Sequence, residues 1–212
     1  MVPAGDPTRE TVRALAALLD AGDVIVDGGN SRWTDDLANA AMLAEHGIGY
    51  VDCGVSGGVW GLQNGYALMY GGDPADIAKV QPAFDALRPG GDFGSVHAGS
   101  VGAGQMSPQH QYALMQAYAE GWSCWRRSSW STTSSRFFRS WREGTVIRSW
   151  LLDLLVAALD DDPGLAQIRG TAGTPARAAG PSRRASTTRC PPLRSRLRCT
   201  PGSCPGKTTP PP

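Results

Sequence analysis

Two short loops that combine glycines with hydrogen-bonding side chains are the best candidates for a ligand site in this sequence of 212 residues. The DGGNS loop (residues 27–31) and the VSGG loop (residues 55–58) each follow an apolar, partly β-branched run. Paired glycines let backbone amides approach a carboxylate or phosphate, and Asn30 and Ser56 add side-chain donors and acceptors. An ordinary strand-to-helix turn, in which Asn30 or Ser31 caps the next helix, is the alternative for the first loop.

The segments around both loops alternate between helical and strand patterns. A helix is predicted to begin at Asp6-Pro7 and to end at Gly22, and further helices are predicted at 33–45 and 74–87. Strands are predicted at 23–27, 48–53, 67–70 and 95–97. The fold class is therefore α/β: a partial, doubly wound, Rossmann-like parallel sheet over residues 1–99. Ligands of such sheets bind beyond the carboxyl ends of the strands, where both loops lie.

The sequence changes character after the sheet. Residues 112–121 and 146–159 are predicted to be helices, so residues 100–170 are assigned to a partial all-α domain. The expected buried face of the second helix consists of Ile147, Trp150, Leu151, Leu154, Leu155 and Ala158. Residues 171–212 contain nine prolines and few aliphatic side chains, and this composition predicts a disordered tail.

Four segments of the sequence resemble the decarboxylating 6-phosphogluconate dehydrogenases in their shorter form. They are DVIVDGGNS (residues 23–31), GVSGGVWGLQNGYALMYGG (54–72), YALMQAYAEG (112–121) and WREGTVIRSWLLDLL (141–155). Related 3-hydroxy acid dehydrogenases share the SGG motif, but they usually have a Ser-Thr pair where this chain has Asn30 and Ser31.

The resemblance implies a reaction and a set of site residues. The implied reaction is oxidation of 6-phosphogluconate by NAD or NADP, followed by loss of CO2 to give ribulose 5-phosphate. The implied substrate-binding residues are Asn30, Ser56, Gly57, Gly58 and Tyr112. The implied cofactor-binding residues are Val2, Pro3, Ala4 and Asn30. A homo-oligomer formed through the helical domain is also expected from the family.

Two departures from the family argue against full activity. The chain contains no GxGxxG unit, so the first third of the nucleotide-binding domain is expected to be absent and binding of NAD or NADP impaired. The family's general-base lysine has no counterpart in residues 105–111, and Gln111 stands where the family has its acidic glutamate. No catalytic residue is therefore assigned. A non-catalytic remnant is preferred over an enzyme that an oligomeric partner completes.

Charge divides the chain into unlike parts. Residues 1–122 carry 14 acidic and 5 basic side chains, whereas residues 123–142 and 171–212 are basic and contain no acidic residue. Back-translation with GC-rich codons gives family-like sequence in the neighbouring frame for residues 123–138 and for the start of the tail. Both segments are interpreted as out-of-frame translation, with residues 105–111 as a candidate third, and this argues against nucleic-acid binding.

The remaining sequence features give no sign of a metal site or a membrane segment. Cys190, Cys199 and Cys204 lack the spacing and the histidine partners of a zinc site. No signal peptide and no apolar run of about 18 residues is found, so a cytoplasmic protein without a membrane partner is expected.

Overall fold

The computed structural model describes residues 1–127 and 134–167, which divide into two compact units. The first unit extends from Met1 to Tyr112, and the second begins at Ala113. The predicted domain limits at residues 99 and 170 stay predictions. The tail assigned to residues 171–212 lies outside the described residues.

The first unit is built on a four-stranded sheet with the strand order β1-β2-β3-β4. The strands are β1 (Val24–Asp27), β2 (Gly49–Ser56), β3 (Ala67–Gly71) and β4 (Ser95–Gly99). Pairs β1–β2 and β3–β4 are parallel, but β2 and β3 are antiparallel. The α/β, Rossmann-like class is confirmed, whereas the prediction of a parallel sheet throughout is wrong at the centre. The connection between β2 and β3 is too short for a crossover, which needs a dozen or more residues.

Helices cover both faces of this sheet. The helices are α1 (Asp6–Ala16), α2 (Trp33–Ala44) and α4 (Pro74–Leu87); the single-turn helix α3 (Gly61–Asn64) follows a 3-10 turn at Gly58–Trp60. Neighbouring residues of β2 point to opposite faces, so Tyr50 packs with α1 and α2 while Val51 packs with α4. The predicted helices are confirmed, although α1 ends at Ala16 rather than at Gly22.

The second unit is helical and has its own aromatic and aliphatic core. Helix α6 (Gln109–Arg127) enters it, and α7 (Ser134–Gly144) and α8 (Trp150–Asp161) complete it. The buried side chains of this core are Trp122, Phe138, Leu152, Val156 and Leu159. None of the helices in residues 1–127 and 134–167 is long and apolar enough to cross a membrane.

Helix α8 begins later than the sequence pattern predicts, and its buried face is different. Ser149 caps it by accepting a hydrogen bond from the backbone N–H of Leu152 at 3.2 Å. Ile147 therefore precedes the helix and is 38% exposed, while Trp150 is 51% exposed. The predicted burial of these two side chains is wrong, because the cap shifts the buried stripe to Leu152 and the residues a turn apart from it.

Candidate functional site

The buried carboxylate of Asp27, the first residue of the DGGNS loop, holds this loop in a tight turn. Asp27 ends β1, and its Oδ1 accepts a hydrogen bond from the backbone N–H of Gly29 at 2.8 Å. Its Oδ2 accepts one from the Ser31 hydroxyl at 2.6 Å. An Asp side chain that bonds backbone two residues ahead makes a tight turn without help from other elements. The turn leaves Asn30 exposed, and its side chain makes no hydrogen bond within the part of the chain that the structure describes.

The capping alternative for this loop is wrong. The residue before α2 is Arg32, and no side-chain hydrogen bond caps that helix. Ser31 is 1% exposed and its hydroxyl is used by Asp27, so it cannot serve the helix. The loop is therefore closed by the carboxylate that ends its own strand, and Asn30 remains available to a ligand.

A second layer of polar groups lies beneath the loop. The Tyr50 hydroxyl donates a hydrogen bond to Asp36 Oδ1 at 3.0 Å and lies 3.4 Å from Asp27 Oδ2. Burial, together with the nearby carboxylates of Asp52 and Asp27, raises the pKa of Asp36 to about 8. Burial, followed by the charges of Asp36 and Asp27, also raises the pKa of Tyr50. A neutral Asp36 fits its surroundings, because its second oxygen is buried without a partner among the described residues.

Asp52, in the middle of β2, anchors the short helix α5 (Ala103–Met106) to the sheet. Its Oδ1 accepts a hydrogen bond from the Gly102 N–H, and its Oδ2 accepts one from the Gln105 N–H, both at 2.6 Å. Burial raises the pKa of the Asp52 carboxyl, while these backbone hydrogen bonds oppose the shift. The side chain of Gln105 then extends from α5 toward the DGGNS loop.

The VSGG loop is connected to the first turn of α6. The Ser56 hydroxyl donates a hydrogen bond to Gln111 Oε1 at 3.1 Å, and the adjacent Tyr112 is half-buried. Gly58 has a φ of 56°, a conformation that side-chain-bearing residues rarely adopt. A Cβ at Gly57 would lie 3.0 Å from the ring of Tyr66, so this position also favours glycine.

The N-terminal segment lies against the DGGNS loop. The Thr8 hydroxyl donates a hydrogen bond to the carbonyl oxygen of Pro3 at 2.9 Å, which holds the Val2-Pro3-Ala4 turn at the start of α1. A Cβ at Gly29 would lie 3.2 Å from the carbonyl oxygen of Val2. Of the residues predicted for the cofactor, the structure therefore brings Val2 close to the backbone beside Asn30. Ser56 and Tyr112 are joined separately, through Gln111.

Lys79 and His110 make their hydrogen bonds outside these two loops. Lys79 Nζ donates to the Gly22 carbonyl and pairs with Asp76, at the opposite, amino-terminal end of β1. His110 is exposed, with its Nδ1 3.3 Å from the Ser107 carbonyl. Pro108 separates α5 from α6.

Sequence reasoning missed the polar residues that support the loops. Asp36, Tyr50, Asp52 and Gln105 are all buried. One signal was available: a carboxylate within the apolar strand 48–53 is rarely buried unless it has partners. Nothing in the sequence indicates that Gln105 reaches the loop, because its partners lie 52 to 78 residues away.

A Rossmann-like sheet with glycine-containing loops at the carboxyl ends of its first two strands defines a dinucleotide-binding class of α/β protein. Within that class, residues 1–90 match a family model described as the NAD binding domain of 6-phosphogluconate dehydrogenase. The predicted resemblance to the decarboxylating 6-phosphogluconate dehydrogenases is confirmed, and this chain is a relative of theirs over part of their length.

The curated relatives agree with this assignment. The chain is 39% identical over 166 residues to the NAD(+)-dependent, decarboxylating 6-phosphogluconate dehydrogenase of Haloferax volcanii. The matched region covers 76% of this chain and 54% of that protein. It is 35% identical over 167 residues to the corresponding enzyme of Bacillus subtilis, covering 75% of this chain and 36% of that protein. The chain thus spans about half or less of the length of these relatives.

Solved structures share the fold. A 6-phosphogluconate dehydrogenase from Plasmodium falciparum has a TM-score of 0.76 at 22% identity, covering 93% of this chain and 45% of that one. A 3-hydroxyisobutyrate dehydrogenase from Mycobacterium tuberculosis has a TM-score of 0.58 at 21% identity, covering 88% of this chain and 72% of that one. At these identities the likeness concerns the fold alone.

Proposed function

We propose that the first unit binds 6-phosphogluconate beside the nicotinamide of NAD or NADP. The proposed substrate contacts are Asn30, Ser56, Gly57, Gly58 and Tyr112, and the proposed cofactor contacts are Val2, Pro3, Ala4 and Asn30. The single observation that carries the proposal is the closed DGGNS turn. Its hydrogen bonds to Asp27 leave Asn30 exposed, and the neighbouring Gly29 lies against the Val2 carbonyl. The Plasmodium falciparum relative has been solved with NADP+ and with 6-phosphogluconate, which supports this pairing of ligands.

We further propose that this chain binds its ligands without efficient turnover. The position that corresponds to the family's acid is Gln111, and its amide oxygen accepts the Ser56 hydroxyl instead of exchanging a proton. Cofactor binding is expected to be weak, since no GxGxxG unit is present in this sequence to hold the pyrophosphate. The competing proposal is a competent oxidoreductase, either for 6-phosphogluconate or for a 3-hydroxy acid. The 3-hydroxy acid is included because the chain shares its fold with a 3-hydroxyisobutyrate dehydrogenase.

Binding is tested by thermal unfolding and calorimetric titration of the full chain with 6-phosphogluconate. We expect millimolar ligand to raise the Tm, because a ligand that binds only the folded state stabilises it by mass action. Asn30→Ala and Ser56→Ala should each weaken binding by about tenfold, the loss of roughly one or two hydrogen bonds. Thr11→Ala, at an exposed position of α1, is the matched control and should bind as the wild type does.

Three outcomes decide between the proposals. An unchanged Tm at saturating ligand contradicts the binding proposal. Efficient reduction of NAD or NADP with 6-phosphogluconate by the purified chain contradicts the proposal of binding without efficient turnover. Reduction with 3-hydroxyisobutyrate, but not with 6-phosphogluconate, favours the 3-hydroxy acid alternative.

A homo-oligomer in the cytoplasm is proposed as the physiological form. Two large apolar side chains of the second unit, Val146 and Trp150, are exposed and are suited to contact another copy. Sedimentation of the purified chain should therefore show a dimer or larger species, and Trp150→Glu should shift it toward the monomer. A monomer at all concentrations contradicts this proposal.

A further inference from the structure

The side chain of Gln105 connects the ends of the first two strands. Its Nε2 donates to the carbonyl oxygen of Gly29 at 2.9 Å and lies 3.3 Å from the carbonyl oxygens of Asp27 and Cys53. Gly29 lies inside the DGGNS loop, whereas Cys53 lies on β2 shortly before the VSGG loop. An amide nitrogen has two hydrogens, so one hydrogen is shared among the longer contacts. Gln105 thus joins the DGGNS loop to the strand that leads into the VSGG loop.

The orientation of this amide is fixed by its surroundings. Rotation by half a turn would place Oε1 against the carbonyl oxygens of Asp27, Gly29 and Cys53, which are all acceptors. The observed orientation leaves Oε1 buried without a partner among the described residues. An unpartnered buried oxygen is unfavourable. This orientation leaves Oε1 without a partner, but it keeps Nε2 hydrogen-bonded to the carbonyl oxygen of Gly29.

The backbone of Gln105 is fixed as firmly as its amide. Asp52 holds the Gln105 N–H, and Gly104 brings α5 close to the strands. A Cβ at Gly104 would lie 2.7 Å from the carbonyl oxygen of Met69 and would also clash with that of Asp52. Because Asp52 holds α5 against the sheet, the reach of the Gln105 side chain is set by β2.

We propose that Gln105 is a positioning residue, which sets the distance between the DGGNS and VSGG loops and so the placement of Asn30 relative to Ser56. This inference rests on the proposed function, in which both loops contact one ligand. Gln105 is fully buried, so its proposed action passes through the carbonyl groups of Gly29 and Cys53. Its effect should appear in binding and loop mobility more than in the stability of the unit.

The experiment compares three variants of the full chain with the wild type. Gln105→Leu nearly keeps the volume but removes the donor, and Gln105→His restores a ring N–H that can donate. Gln109→Leu is the matched control, because Gln109 is also buried and donates to neither loop in the described structure. Amide hydrogen exchange of residues 27–31 and 53–58 is measured without ligand, with residues 74–87 of α4 as an internal reference. Calorimetry gives the Kd for 6-phosphogluconate.

Gln105→Leu should increase exchange in both loop segments by about tenfold or more while α4 is unchanged, and should weaken binding by a similar factor. Gln105→His should recover part of both effects, and Gln109→Leu should show neither. Unchanged loop exchange in a folded Gln105→Leu protein would overturn the inference, as would equal effects of Gln109→Leu. If Gln105→Leu does not fold, the longer and unbranched Gln105→Met replaces it under the same criteria. If the wild type binds no ligand, the proposed function fails while the exchange data still decide the role of Gln105.

Discussion

Single residues shape this site through buried carboxylates. Asp27, Asp36 and Asp52 are each at most 6% exposed, and their roles differ. The first closes the loop, the second accepts the Tyr50 hydroxyl, and the third anchors α5. The sequence revealed the loop residues but not this support. Glycines and short polar side chains follow a local code, whereas a buried carboxylate looks the same in sequence as a solvated one.

The raised pKa of Asp36 makes the stability of the protein depend on pH. The folded state keeps a proton on Asp36 up to about pH 8, whereas the unfolded chain loses it near pH 4. The free energy of unfolding should therefore fall as pH rises from about 4 to about 8, by at most about 1.4 kcal/mol per pH unit from this group. Asp36→Asn, which mimics the neutral acid, should reduce that slope and be more stable than the wild type at about pH 8.

Urea unfolding at a series of pH values between about 5 and about 8 measures both slopes. Burial also raises the pKa of Asp52, so the Asp36→Asn variant should retain a smaller slope of the same sign. Parallel slopes for the wild type and Asp36→Asn would show that Asp36 is not protonated in the folded state.

At the scale of elements, most of the fold was predictable, but the change of strand direction at the centre of the sheet was not. The four strands and the helices α1, α2 and α4 follow from apolar periodicity and from the Pro and Gly residues at their ends. The antiparallel pairing of β2 and β3 was missed, because a pattern of apolar residues carries no strand direction. Only the length of residues 57–66 could have indicated it.

The contact of α5 with the sheet gives a prediction at this scale. Gly104→Ala should lower the free energy of unfolding by about 1–3 kcal/mol, because the new methyl group meets the backbone of β2 and β3. Gly90→Ala is the control, since nothing lies within 4 Å of its Cβ position. Urea unfolding followed by circular dichroism measures both, and equal stability of the two variants would contradict the close packing of α5.

At the scale of the molecule, the two units differ in how well the sequence accounted for them. A family model matches residues 1–90 of the first unit. The interpretation of residues 123–138 as out-of-frame translation stays a prediction. Phe138 nevertheless is 1% exposed and contacts Trp122 and Trp141 in the core of the second unit. Aromatic residues pack wherever geometry allows, so the folded state does not reveal how a segment is encoded.

Removal of the Phe138 ring tests this core. Phe138→Ala should destabilise the second unit by about 3–5 kcal/mol, since a large buried ring leaves a cavity. Hydrogen exchange of residues 150–161 reports the loss, and Arg136→Ala, an exposed position on the same helix, should leave it unchanged. If Phe138→Ala does not change hydrogen exchange in α8, residues 134–144 contribute nothing to the core.

The turn centred on Asp27 also has a consequence for the order in which the molecule assembles. Its two hydrogen bonds join residues two and four positions apart, so they can close on the timescale of local chain motion. The hydrogen bonds of Gln105 join residues up to 78 positions apart and must await the completed sheet. The DGGNS loop thus takes its shape early in folding, and it reaches its final position in the protein last.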